Sequence, residues 1–149
     1  VNRYLGVLAL VAVLAACAAE KQPPKFEDAD VCALLHSGDA GNLAGPPSKG
    51  SQACDFTFDS LTVSLSLRTE KYADAAARLG SDAYGAVVET HPMTRRCADS
   101  SGTVTCDAVV EVRDGQLIGL KVVQRNPDPN MVGQVTQGLA AKALERLPK

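Results

Sequence analysis

The sequence predicts an α+β domain: an antiparallel sheet of five or six strands, helices packed mainly on one face, and two disulfides. Three observations lead there. Leu61, Val63, Leu65 and Leu67 alternate with Thr62, Ser64 and Ser66, the period-two pattern of a strand with one dry and one wet face. Ser101-Gly102 and Asp114-Gly115 are turn dipeptides between alternating runs, so the second half of the chain reads as hairpins. The order helix, two strands, helix, four strands, helix suits helices laid against an antiparallel sheet.

Along the chain, Asp28 or Asp30 serves as N-cap for a short helix carrying Val31, Cys32, Leu34 and Leu35, which Ser37-Gly38 breaks. A second helical turn is expected from Asp39 and ends at Gly45-Pro46-Pro47, and residues 45–53 read as a loop. Cys54 to Phe58 alternates as a strand, Asp59-Ser60 turns, and the Leu61 to Leu67 strand follows. Thr69 as N-cap, helical spacing of Tyr72, Ala75, Ala76 and Leu79, and Gly80 in the left-handed terminal position predict a helix from Glu70 to Leu79. Ala86 to Thr90 can form a strand, interrupted at His91-Pro92 because proline donates no ladder hydrogen bond, and the chain resumes at about Thr94.

The two hairpins that follow can be placed in register. A two-residue turn at Ser101-Gly102 pairs Ser100 with Thr103 and, counting outward, Cys97 with Cys106. For the next hairpin, a two-residue loop at Asp114-Gly115 would put Val110 and Ile118 on opposite faces. A three-residue loop, Arg113-Asp114-Gly115, sets Val110 opposite Ile118 and Ala108 opposite Leu120, with Gly115 at positive φ, and is the expected one. Asp128-Pro129 supplies an N-cap and a first-turn proline for a last helix, whose apolar stripe reads Met131, Val135, Leu139, Ala143, Leu144 and Leu147. Lys142, Arg146 and Lys149 sit near its C-terminal end, where the dipole favours cations.

Ahead of this domain the chain has the layout of a signal peptide: Arg3 as basic region, Leu5 to Val13 as apolar region, and small residues up to Cys17. The apolar run is short of the roughly 20 residues needed to span the hydrocarbon. Leu14-Ala15-Ala16-Cys17 resembles the recognition sequence of bacterial lipoprotein signal peptidase, and that resemblance implies cleavage before Cys17 and acylation of its thiol. Two or more acyl chains hold a protein stably where one, at about 0.8 kcal/mol per buried methylene, does so marginally. The expected organisation is therefore 1–16 signal peptide, 17–27 lipidated tether containing Pro23-Pro24, and 28–149 a single domain on the extracytoplasmic face of the cell membrane.

The chain carries five cysteines. With Cys17 lipidated, Cys32, Cys54, Cys97 and Cys106 remain, an even set on the oxidising side of the membrane. Three connectivities are open. The preferred one joins Cys32 to Cys54 and Cys97 to Cys106. The second pair follows from the hairpin register, which makes it a non-hydrogen-bonded pair with Cα atoms about 4.5 Å apart, within disulfide range. No metal site is expected, because there is no CxxC and neither His36 nor His91 lies at zinc-ligand spacing from a cysteine. No cofactor is expected either.

Asp30-Val31-Cys32-Ala33-Leu34-Leu35, a Gly-rich loop, Cys54-Asp55-Phe56, an alternating strand followed by a helix, a late cysteine hairpin and a C-terminal helix together resemble the small actinobacterial cell-envelope lipoproteins that carry an extracytoplasmic domain of unknown function. The similarity covers most of the chain after Cys17. Those proteins often have Trp two residues after the second cysteine, where this chain has Phe56. The resemblance implies fold and location, not activity.

Composition narrows the function classes. The net charge of −2 argues against nucleic acid as a partner, and the absence of Trp leaves few stacking platforms for sugars or single strands. His36 and His91 are the only bases suited to neutral pH, and no GxSxG, SxxK or HExxH accompanies them, so the chain reads as no enzyme. Arg95 shares the parity of Cys97 and points to the core side of the sheet. It reads either as an anion-binding arginine or, preferred, as a snorkelling edge residue, with Arg96 beside it. The resulting expectation is a membrane-anchored, non-catalytic binding or accessory module with an envelope protein as candidate partner. The alternative is a carrier of lipid or a small apolar ligand, with a cavity between sheet and helices.

Overall fold

The clearest strand in the sequence becomes an interior strand of a seven-stranded sheet in the computed structural model, which describes residues 25–149. The strands are β1 (Ser48–Gly50), β2 (Ala53–Thr57), β3 (Leu61–Arg68), β4 (Tyr84–Val88), β5 (His91–Ser100), β6 (Thr103–Arg113) and β7 (Gln116–Arg125). They lie in the order β1-β2-β3-β7-β6-β5-β4, and every neighbouring pair is antiparallel. Two helices complete the α+β fold, α1 (Tyr72–Arg78) and α2 (Pro129–Arg146). The expected signal peptide, Cys17 and most of the tether lie outside the described residues.

The alternating side chains sort into two faces. On one, Phe56, Val63, Leu65, Ile118, Val122, Val110 and Met93 are fully buried beneath Val132, Leu139, Ala140 and Ala143 of α2 and the Val31, Leu34 and Leu35 segment. On the other, α1 covers only a small patch, with Ala75, Tyr72 and Leu79 against Val109 and Leu117. The long helix thus holds one face, as expected, while the short one lies on the opposite side. Phe26, expected within the tether, is buried in the main core, so the packed domain begins there.

The strand count exceeds the expected five or six because residues 48–50, expected as loop, pair with Asp55, Cys54 and Ala53 as an edge strand. All three are exposed, so no apolar alternation announced them. The first expected helix contracts to a 3-10 turn, Val31–Ala33, with Asp30 accepting from the Cys32 N–H at 3.2 Å. No helical turn forms at Asp39. Helix α1 begins at Tyr72 with Lys71, not Thr69, in the capping position, while Gly80 adopts φ +102° as expected.

His91-Pro92 opens β5 instead of interrupting a strand. Cys97 and Cys106 form a non-hydrogen-bonded pair, and counting back from it places Pro92 in a position that would donate to Glu111 O, which proline cannot do. The His91 ring supplies the missing donor, with Nδ1 2.9 Å from that oxygen. This contact fixes the proton on Nδ1.

Both later hairpins take the expected registers. Ser100 pairs with Thr103, Cys97 with Cys106, Val110 with Ile118 and Ala108 with Leu120. In the second, the strands close one step further, at Arg113 and Gln116, and a bulge at Val112 supplies the odd residue that an Arg113-Asp114-Gly115 loop would have supplied. Asp128 caps α2 through the Asn130 N–H, 2.9 Å away, with Pro129 in the first turn. Leu139, Ala143, Leu144 and Leu147 of the expected stripe are buried, but the first turns differ: Met131 is 60% exposed and Val135 half-buried, whereas Val132, Thr136 and Ala140 face the sheet. Thr136 is tolerated there because its hydroxyl donates to Val132 O at 2.7 Å.

The irregular segment 34–43 is tied to the end of α2 by one ion pair. Arg146 donates to both carboxylate oxygens of Asp39, Nη2 at 2.9 Å from Oδ1, and also to Leu34 O at 2.9 Å. The Asp39 side chain is only 8% exposed. Hydrogen bonding from Arg146 holds its carboxyl below the ordinary aspartate range, aided by the His36 backbone N–H and opposed by burial. A depressed folded pKa means that this stabilisation is complete above the unfolded value and is lost as pH falls through the folded one. Asp39→Ala is expected to cost about 2 kcal/mol at neutral pH. It should also flatten the acid side of the stability profile, as read by chemical denaturation at successive pH values down to about 3.

Candidate functional site

Both disulfides join the expected partners, Cys32–Cys54 with Cα atoms 5.2 Å apart and Cys97–Cys106 with 4.0 Å. In strand order one lies on the β1–β2 side of the sheet and the other on the β5–β6 side. The first fastens the Val31 turn to β2, and the second staples the β5–β6 hairpin. Cys17 lies outside the described residues.

The two histidines are separated by role. His91 is half-buried, with its ring committed to Glu111 O, and lines a cleft with Glu89, Arg113 and Glu145 at the C-terminal end of α2. His36 is exposed on the turn whose backbone N–H donates to Asp39. No group of three or more His, Cys, Asp or Glu side chains stands at metal-binding distance among the described residues. None of the described helices is long and apolar enough to cross a membrane.

Arg95 points to the α2 face, as its parity requires. Its guanidinium lies 5.4 Å over the Tyr84 ring, its cross-strand neighbour. The other wall is Gly133 of α2. A Cβ there would come within 2.8 Å of Nη1 and 3.0 Å of Cζ, so the missing side chain makes room for the guanidinium. Nη1 is buried and, among the described residues, hydrogen-bonds to nothing. Arg95 therefore does not snorkel freely into water, which corrects the preferred reading for that side chain.

Beside it opens a cleft of about 440 Å³ lined by Asp82, Tyr84, Arg95, Arg96, Asn130 and Gly133. Arg96 points to the opposite sheet face and donates from Nε to Asp82 at 3.0 Å. That hydrogen bond is the first cause of Asp82's lowered pKa. The two neighbouring arginines thus differ in kind: Arg96 has a carboxylate partner, whereas Arg95 is met by a π face. Such a cation can receive the oxygen of a carboxylate or phosphate through whichever guanidinium N–H groups face the cleft. The α2 backbone adds little, since the Asn130, Met131 and Val132 N–H groups are already bonded to Asp128.

A second cleft, of similar volume, lies on the wet sheet face beside α1. Arg68, Arg78, Arg96, Lys121 and Asp107 line it. Glu70 bridges Arg68, 3.6 Å away, and Arg78, so much of that positive charge is met internally. Gly119 leaves the sheet bare there, and Arg68 lies across it, held by Ser66 Oγ at 3.2 Å.

The sequence placed Arg95 on its face but missed Tyr84, because the strand read there began at Ala86. It also missed the Asp39–Arg146 pair, which joins segments far apart in the chain. Neither a scan against protein-family models nor a search of curated proteins returns a match.

Arg95 offers a stability test. Replacing it with Met keeps most of the packing and removes a buried unpaired donor that costs about 1 kcal/mol or more. The lost cation–π contact is worth about 0.5–1 kcal/mol at a site whose ring is this exposed. Arg95→Met should leave the unfolding free energy unchanged or up to about 1 kcal/mol higher in urea titration. A loss of about 2 kcal/mol would make the residue structural.

Proposed function

We propose that the chain is a bacterial lipoprotein anchored through Cys17 on the extracytoplasmic face of the cell membrane, and that its domain is a non-catalytic binding or accessory module of the envelope. The observation that carries the reading is Leu14-Ala15-Ala16-Cys17, which closes a short apolar run just ahead of the packed domain. The separation between Cys17 and the buried Phe26 keeps the domain within some tens of Å of the bilayer, at about 3 Å per residue.

The sealed interior supports a surface-binding role over ligand carriage. Phe56, Leu65, Met93, Ile118, Leu139 and Val132 fill the space between the sheet and its cover of α2 and the Val31–Leu35 segment, each less than 2% exposed. An apolar ligand would have to displace them. The His91 ring, occupied in completing the β5 ladder, is spent on structure, which supports a module without turnover.

Labelling cells with a clickable fatty acid tests the anchor. The wild type should label and Cys17→Ala should not, and equal labelling of the two would end the lipoprotein reading. His36→Ala should leave both the cellular phenotype and the thermal midpoint close to wild type. Loss of phenotype at unchanged abundance and lipidation would point instead to chemistry at that ring.

A further inference from the structure

The two edges of the sheet are built differently. The β1 edge is three residues long and carries Lys49 at its centre, a length and charge that discourage pairing with another strand. The β4 edge runs five residues, Tyr84-Gly85-Ala86-Val87-Val88, with no charge, no proline and unbroken register against β5. Tyr84 and Val87, 64% and 61% exposed, are two of the three large apolar side chains left exposed among the described residues.

The backbone groups of β4 can be assigned by parity. The two-residue turn Glu89-Thr90 makes Val88 and His91 the closing hydrogen-bonded pair, so Val88, Ala86 and Tyr84 direct their N–H and C=O groups to β5. Gly85 and Val87 direct theirs outward. An independent contact agrees: Val87 O accepts from Gln137 Nε2 at 3.3 Å, which requires that carbonyl to face away from β5.

We propose that this edge pairs with the same edge of a second copy of the chain, antiparallel and centred on Ala86. That register sets Gly85 opposite Val87 of the second copy and the reverse. It pairs the outward N–H of each with the outward C=O of the other, four hydrogen bonds about a twofold axis. The Val87 carbonyl has a second lone pair and can keep Gln137. The side chains are complementary in the same register: the space where a Gly85 Cβ would stand is empty to 4 Å, and the exposed Val87 of the second copy would fill it. On the other face Tyr84 meets Val88. No charged residue of β4 opposes another.

A seam this short buries less than the roughly 1,200–2,000 Å² of a stable interface, so pairing in dilute solution is weak. Confinement to a membrane raises the effective concentration and populates it. This last step rests on the proposed Cys17 anchor, whereas the edge geometry does not.

The register makes Ala86 face its own counterpart as a non-hydrogen-bonded pair, with Cα atoms about 4.5 Å apart, inside disulfide range. The full chain carrying Ala86→Cys, expressed in membranes and mildly oxidised, should give a disulfide-linked homodimer. Ala73→Cys, on exposed α1, should give little, and adding Val87→Lys to Ala86→Cys should cut the yield by about tenfold or more. Peptide mapping should show both native disulfides intact. No dimer from Ala86→Cys, equal dimer from Ala73→Cys, indifference to Val87→Lys, or the introduced thiol joined to a different protein would each overturn the proposal. Should Ala86→Cys scramble, sedimentation of the otherwise unaltered chain decides: its mass should rise with concentration and that of Val87→Lys should not, and equal behaviour overturns the proposal. In the Cys17→Ala chain, dimer should return on concentration, which separates failure of the edge from failure of the anchor.

Discussion

The register of β6 against β7 is the constraint on which the rest of the fold depends. Every buried position of both layers is counted from it. With Val110 opposite Ile118 and Ala108 opposite Leu120, both strands present their apolar sets to α2. A slip of one residue would turn one set to water and bring Lys121 or Asp107 under the helix. The bulge at Val112 and the left-handed Gly115 hold this register at the turn. Because β3 pairs with β7 and β5 with β6, the same choice sets the faces of Leu65 and Val63 on one side and of Met93 and Arg95 on the other.

Covalent bonds appear where helix cover ends. Beyond Cys97, residues Ala98, Asp99 and Ser100 of β5 are exposed while Val104 of the facing β6 is buried, so Cys97–Cys106 ties an exposed strand end to a buried one. The chain before β1 has almost no regular structure. There Cys32–Cys54 and the Asp39–Arg146 pair supply long-range ties that neither a helix nor a ladder provides. On the loop-entropy model each disulfide contributes about 3 kcal/mol, a large share of the stability of one domain.

Where the local pattern and the tertiary need agreed, the sequence was enough to read. The Leu61 to Leu67 alternation, the Ser101-Gly102 and Asp114-Gly115 turns, the Asp128-Pro129 cap and the disulfide pairing are local or nearly local signals. The misreadings share a different cause. Residues 48–50 became a strand because β2 offered an edge, not because Ser-Lys-Gly favours extension. Pro92 was accepted in β5 because a histidine beside it could replace its missing donor. The buried face at the start of α2 differs because Gly133 and Ala140 allow close approach to the sheet, which Met131 would not. The candidate site was half legible, since parity gave the direction of Arg95 while its partners, Tyr84 and Gly133, come from a strand read two residues too late and from the first turns of a helix whose buried face was misread only there.

The departures from local rules are not spread evenly. Pro92 in a ladder, a guanidinium with an orphaned buried nitrogen, a helical glycine beneath it and an uncharged edge strand with two exposed apolar side chains all lie at the β4–β5 end of the sheet. Elsewhere departures are fewer, a buried unpaired Gln116 Oε1 on β7 among them: polar residues alternate outward on β2 and β3, helix α2 is capped, and the buried Thr136 hydroxyl is satisfied. A chain free to optimise stability alone would have used the same devices at both edges, as it did with Lys49 on β1. Sites kept against local preference are where selection has another use for the residues, and in this fold that argument singles out one end of the sheet.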